Sequence, residues 1–139
     1  MPKILHVLET CLYARDLAAM DTFYGQVLGL SRMTAEYPRH VFFYVSDTSV
    51  LLIFNPDETS KKQDVPAHGS TGPGHVAMAI ETDELNAWRD HLNTNGVPIE
   101  REITWGDGSR SIYFRDPAGN STELVTRGMW RNRRPGDEA

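Results

Sequence analysis

Three ionisable side chains sit where a strand would normally carry something else. Glu123 stands in the stretch Asp116-Pro117-Ala118-Gly119-Asn120-Ser121-Thr122-Glu123-Leu124. Proline presets one φ there, glycine permits a positive one, and Asp and Asn side chains can bond their own backbone, so residues 116–120 read as a turn between two strands. That leaves Glu123 as a carboxylate near the start of an otherwise apolar strand. Glu9 lies in the first β-rich stretch, and His75 opens another. Two carboxylates and an imidazole brought to one point suit a divalent cation of the Mn, Fe, Ni, Co or Zn group, with room left for water or substrate. Without a cation the two carboxylates would repel, and one would take up a proton. The plain alternatives are a solvated Glu9 at a strand edge, a hydrogen-bonded core His75 and a solvated Glu123.

Those side chains need strands to hold them, and the chain supplies two similar sets. Residues 4–13 are apolar and β-branched and read as a first strand. Asp16 caps a helix with apolar Leu17, Met20, Tyr24, Val27 and Leu28 at helical spacing, and Gly29 closes it. Residues 30–36, 40–45 and 50–54 follow as strands. Residues 55–73 are polar and rich in Pro, Gly and Lys, a linker or lid. The pattern then restarts with a strand over 75–81, a helix capped by Thr82 or Asp83 with Leu85, Trp88 and Leu92, a closing Gly96, and strands over 97–104, 109–115 and 121–126.

The order strand, helix, strand, strand, strand therefore occurs twice. The expected architecture is a single α+β domain over 1–139 made of two βαβββ modules. The first covers 4–54 and the second 74–127, with a tail over 128–139. A four-stranded sheet buries one face under its helix and leaves the other to curve around a ligand, so two modules are expected to form an eight-stranded mixed sheet shaped like a cup. Alternation along the strands puts Thr10, Leu12 and Ala14 with the helix and Glu9, Cys11 and Tyr13 on the cup side. Likewise it puts Val76, Met78 and Ile80 with the helix and His75 on the cup side. The repeat counterpart of Glu123 is Leu52, or Leu51 in a register one residue different.

Bulk properties narrow the partners. The net charge of −5 offers no basic face for nucleic acid, and the one basic cluster, Arg131, Arg133 and Arg134, reads as a solvated tail. A single cysteine permits no intrachain disulfide, and no apolar run approaches the ~20 residues of a membrane span. The expectation is a cytoplasmic protein with neither nucleic acid nor membrane as partner.

The segments Asp16-Leu17, Phe23-Tyr24, Val27-Leu28-Gly29-Leu30, Gly74-His75-Val76 and Phe114-Arg115-Asp116-Pro117-x-Gly119-Asn120-x-x-Glu123-Leu124 together resemble the vicinal oxygen chelate superfamily. That superfamily holds glyoxalase I, bleomycin-resistance proteins, extradiol dioxygenases, fosfomycin-modifying enzymes and methylmalonyl-CoA epimerase, and the resemblance spans residues 4–127. It implies a glyoxalase-like fold of paired modules, a metal in the cup and often a homodimer. Carried over by position, the metal ligands fall on Glu9, His75 and Glu123, with Leu52 or Leu51 where many glyoxalases have a carboxylate. Two departures stand out: the first-strand ligand is usually histidine, and the fourth ligand of glyoxalase I is missing. The oxygen-rich set tilts preference from zinc toward manganese, iron or magnesium. The implied chemistry is Lewis-acid stabilisation of an oxyanion on a small oxygenated substrate, by a lyase, isomerase or dioxygenase. Catalytic candidates are Glu9, Glu123 and Tyr113, with His40 and His68 as further bases. Substrate-binding candidates are Arg39, His40, Leu52, Trp105, Arg110 and Ser111, with Arg39 and Arg110 suited to an anionic group and Trp105 to a pocket rim. The alternatives are a metal-free drug- or toxin-binding protein of the bleomycin-resistance type and a structural dimer with no small ligand.

Overall fold

The computed structural model describes residues 1–61 and 64–129. Its chain divides into two units. Unit 1 comprises residues 1–74 with Asp116–Asn120, and unit 2 comprises His75–Arg115 with the residues from Ser121 onward. The arginine cluster at 131–134 lies outside the described residues.

Unit 1 is built on β1 (Glu9–Tyr13), β2 (Ser31–Glu36), β3 (His40–Ser46) and β4 (Ser49–Phe54), in the order β1-β4-β3-β2. β1 runs parallel to β4 and the other neighbours are antiparallel. Helix α1 (Leu17–Asp21) packs on β3 and β4 and continues as a π-helical segment over Thr22–Val27. Asp16 caps it, its carboxylate accepting from Ala19 N at 3.0 Å. Gly29, at φ +74°, lets the chain leave the helix in a conformation that L side chains resist. Leu12, Leu17, Met20, Tyr24, Val41, Phe43, Leu51 and Ile53 form the buried layer between helix and sheet. Three expectations are corrected here. The first strand begins at Glu9 instead of Ile4, because β4 starts only at Ser49 and offers residues 4–7 nothing to pair with. The helix widens to π geometry, with Leu28 N bonding Phe23 O at 3.0 Å, five residues back. The linker contains a short helix, α2 (Pro56–Thr59), capped by Asn55.

Unit 2 repeats the scheme with β5 (His75–Ile80), β6 (Ile99–Thr104), β7 (Arg110–Arg115) and β8 (Ser121–Thr126), in the order β5-β8-β7-β6. Its helix α3 (Leu85–Thr94) follows a 3₁₀ turn over Thr82–Glu84. Val76, Met78, Ile80, Leu85, Leu92, Ile112, Phe114 and Leu124 are its core. β5 alternates exposed and buried residues along its whole length, as one sheet face on a core and one off it require.

The turn joining β7 to β8 belongs to unit 1. Asp116 accepts from Ala118 N at 2.9 Å and Asn120 N at 3.0 Å, and Gly119 takes φ +84°. Its other oxygen accepts from the fully buried Tyr24 hydroxyl at 2.8 Å and from Asn120 Nδ2 at 2.9 Å. Asn120 Oδ1 in turn accepts from Gly74 N at 2.7 Å, immediately before β5. The Asp-Pro-x-Gly-Asn stretch is thus tied within unit 1 to Tyr24 and Gly74.

Candidate functional site

The turn at 116–120 sets the β7–β8 register so that Tyr113 stands opposite Glu123 and Ser111 opposite Val125. The parallel β5–β8 register pairs His75 with Ser121 and Ala77 with Glu123. Alternation therefore gathers His75, Ser111, Tyr113 and Glu123 on the sheet face away from α3.

Hydrogen bonding on this face has a fixed direction. The Trp105 indole can only donate, and it donates to Ser111 Oγ at 2.9 Å. Ser111 Oγ in turn donates to Glu123 Oε1 at 2.5 Å. Both Ser111 and Glu123 are buried. On the other side Glu123 Oε2 faces His75 Nε2 at 3.3 Å, with the histidine side chain about half exposed. His75 Nδ1 lies 2.9 Å from the Ser121 carbonyl, which can only accept, so Nδ1 carries the proton. Tyr113 stacks near His75, ring centroids 6.4 Å apart. Burial pushes its phenol above the ordinary value, reinforced by the neighbouring Glu123 charge and a hydrogen bond to it.

His75 Nε2 thus faces a carboxylate oxygen at 3.3 Å, a separation bridged either by a proton on Nε2 or by a cation between the two atoms. Two donor atoms each ~2.1 Å from one ion at a tetrahedral or octahedral angle are ~3.0–3.4 Å apart, which is the spacing found. The supports also match what a ligand pair requires: a carbonyl fixing the imidazole tautomer and a hydroxyl orienting the carboxylate. The pair fits a divalent cation. Among the described residues no group of three or more His, Cys, Asp or Glu side chains is arranged to hold one.

The remaining sequence candidates fall as follows. Glu9 is in unit 1, exposed on β1 opposite Val50. Register places Leu52 beside Cys11 as it places Glu123 beside Ala77, whereas Leu51 shares the helix side with Ile53, so Leu52 is the residue on the corresponding face. Leu52 is buried and stands opposite Phe42. His40 is buried and stacks on Phe42 at 4.0 Å. Arg39 donates to His40 Nδ1 at 2.9 Å, and its guanidinium lies 5.4 Å from the Phe54 ring centre. Burial, then the Arg39 charge, holds His40 below its ordinary value. His68 folds from the linker onto this face, its Nδ1 2.6 Å from Tyr13 Oη and its ring against Phe54. Cys11 is exposed with its thiol pushed up by burial and by Glu9, unlike an activated nucleophile. Arg110 is exposed, on the strand side opposite to Ser111. Trp105 is half-buried, and its indole is engaged by Ser111. Sequence reasoning missed that relay, since nothing in a strand pattern says which hydroxyl donates to which neighbour.

Residues 3–124 match the family described as Glyoxalase/Bleomycin resistance protein/Dioxygenase superfamily. The metallothiol transferase FosB of Bacillus licheniformis is 29% identical over 125 residues, covering 89% of this chain and 77% of that protein. Biphenyl-2,3-diol 1,2-dioxygenase 3 of Rhodococcus globerulus is 29% identical over 130 residues, covering 88% of this chain and 62% of that protein. The crystal structure of lactoylglutathione lyase from Agrobacterium tumefaciens aligns with a TM-score of 0.86 at 35% identity, covering 91% of this chain and 96% of the other. With nearly its whole length matched, and with two βαβββ modules of one topology, this chain belongs to the Glyoxalase/Bleomycin resistance protein/Dioxygenase superfamily, the vicinal oxygen chelate fold.

Proposed function

We propose that this protein is a metal-dependent enzyme acting on a small oxygenated molecule, of the lyase, isomerase or dioxygenase type. The observation that carries the reading is the His75–Glu123 pair, Nε2 and Oε2 3.3 Å apart with each outer atom committed to a support. His75 and Glu123 are the proposed ligands from unit 2. Glu9, on the corresponding face of unit 1, is proposed as the third on register alone. The ion, from the group Mn, Fe, Ni, Co, Zn or Mg, would supply Lewis acidity for negative charge developing on a substrate oxygen. Ser111 keeps the Glu123 carboxylate oriented, Trp105 keeps the Ser111 proton pointed at it, and Ser121 keeps the His75 Nε2 lone pair outward. Tyr113, whose hydroxyl is bonded to Glu123, is proposed to exchange that bond for one to a substrate oxygen. Two of the three relatives above carry a thiol or glutathione in their names, which supports testing thiol adducts among the substrates.

The test is metal content and affinity of untagged protein, measured by elemental analysis and by Mn²⁺ and Zn²⁺ titration. Near-stoichiometric metal in the wild type, lost in Glu123→Gln and His75→Ala while the fold is kept, is expected. A wild type that takes up neither ion at millimolar concentration sinks the reading.

A second reading rests on Leu52. The unit 1 position on the corresponding face to Glu123 is apolar and ringed by Phe42, Phe54 and His40. That composition suits a metal-free binder of aromatic drugs or toxins. Calorimetric binding of an aromatic ligand that survives a chelator and the loss of Glu123 favours it.

A further inference from the structure

The first residues of the chain pose a separate problem. Ile4, Leu5, Val7 and Leu8 are 96%, 88%, 77% and 62% exposed. The segment has the composition of a strand, yet the ladder begins only at Glu9, with one bond from Val50 N to Leu8 O at 3.1 Å joining the two. β1 is also the edge of its sheet. An exposed apolar run continuing an edge strand is a template for pairing with another chain.

Its sequence says which chain. Lys3-Ile4-Leu5-His6-Val7-Leu8-Glu9 is complementary to itself when reversed. Laid antiparallel on a second copy about a two-fold axis at His6, it sets Lys3 opposite Glu9, Ile4 opposite Leu8 and Leu5 opposite Val7. The charged ends then meet opposite charges, and every apolar residue meets another apolar one. Moving the axis by half a residue or one residue either way puts Lys3 or Glu9 against an aliphatic side chain. An isologous dimer requires this kind of self-match.

We propose that residues 3–9 are a dimerisation strand, pairing antiparallel with the same segment of a second copy in the register centred on His6. The four aliphatic residues expose roughly 600 Å² per copy, less than the ~800 Å² buried per partner in a standard interface, and the ladder adds main-chain hydrogen bonds. The inference concerns the surface and its register; Glu9 is shared with the proposed metal site, and the substitutions that test it alter neither Glu9 nor the other proposed ligands.

Two experiments on the full chain test it. Sedimentation of the wild type is expected to give a dimer, and Leu5→Glu/Val7→Glu a monomer with an unchanged far-UV circular dichroism spectrum, since both residues are largely exposed within their own chain. For register, cysteines are placed in a Cys11→Ser background and the protein is oxidised. His6→Cys puts two thiols directly across the axis, within disulfide reach, and is expected to yield a cross-linked dimer. Lys3→Cys puts them about 20 Å apart and is expected to yield none. A monomeric wild type, a dimer indifferent to the 5/7 substitutions, or cross-linking at 3 in place of 6 each overturns the proposal.

Discussion

Ser111→Ala probes the relay at its middle member. The hydroxyl donates to a buried carboxylate oxygen of Glu123 at 2.5 Å and accepts from Trp105 at 2.9 Å. Removing it deletes a bond to a charged acceptor, worth ~1.5–3 kcal/mol, and leaves Glu123 Oε1 without that donor. The Trp105 indole is half-buried and can turn to water, so its loss adds little. The expected destabilisation is about 2–3 kcal/mol, a fall in Tm of roughly 10 °C for a chain of this size. Trp105→Phe is gentler. It removes the upstream donor but leaves Ser111 free to serve Glu123, for about 1 kcal/mol. The double variant is the decisive measurement. If the three groups form one directed chain, Trp105→Phe costs almost nothing once Ser111 is gone, and the double variant matches Ser111→Ala. Urea unfolding followed by circular dichroism gives all three numbers, and metal titration gives a parallel set, with Ser111→Ala weakening binding about 10–100-fold. A double variant whose cost is the sum of the two singles refutes the relay. So does a Ser111→Ala protein no less stable than Trp105→Phe.

Tyr24→Phe is expected to cost about 1–3 kcal/mol by urea unfolding, because it takes from the buried Asp116 the hydroxyl bonded at 2.8 Å. A smaller loss would mean that Asn120 alone suffices to hold that carboxylate. His40 makes a pH-dependent contribution. Burial and Arg39 keep its imidazole below its ordinary value of 6.5, so the folded protein binds fewer protons there than the unfolded chain. The stability gained above pH 6.5 is lost as pH falls below it, and His40→Asn should remove that slope. The difference in unfolding free energy between wild type and variant, measured from pH 7.5 to 5, is expected to shrink on acidification; a constant difference would mean that His40 keeps its ordinary value.

What could be read from the sequence was whatever depends on local pattern. Alternation placed Leu12, Ala14, Val76, Met78 and Ile80 against helices and His75 on the free face, because a strand has a period of two whichever sheet it joins. Asp116, Gly119 and Asn120 announced their turn because few residues tolerate its φ values. What stayed hidden was whatever depends on a partner distant in the chain. Residues 4–8 have strand composition, but strands exist only in pairs, and no strand among the described residues pairs with them. The π-helical stretch at 22–27 leaves no periodic mark distinct from an α-helix over so few residues. His68 reads as a loop residue and lies against Tyr13, 55 positions away. The direction of Trp105, Ser111 and Glu123 follows from rotamers that no pattern of residue types encodes.

The two units lay nearly the same ladder under opposite chemistries. Phe42 faces Leu52 in unit 1 as Tyr113 faces Glu123 in unit 2, and His40 faces Phe54 as Ser111 faces Val125. The backbone therefore does not decide which face carries a carboxylate; the hydroxyls around it do. Leu52→Glu tests this directly. The new carboxylate would sit at a buried position against Phe42, with neither a serine nor a tyrosine to donate to it. It gives up a leucine's burial and gains an unpaired charge, for an expected cost of about 3–5 kcal/mol by urea unfolding. Adding His40→Ser and Phe42→Tyr brings in the side chains that flank Glu123. If the hydroxyls matter, the triple variant recovers at least ~1 kcal/mol relative to Leu52→Glu, although His40→Ser removes the ring stacked on residue 42. A single variant as stable as wild type would mean that water already reaches this face. A triple variant less stable than the single would mean that the carboxylate in unit 2 is held by something other than the groups bonded to it.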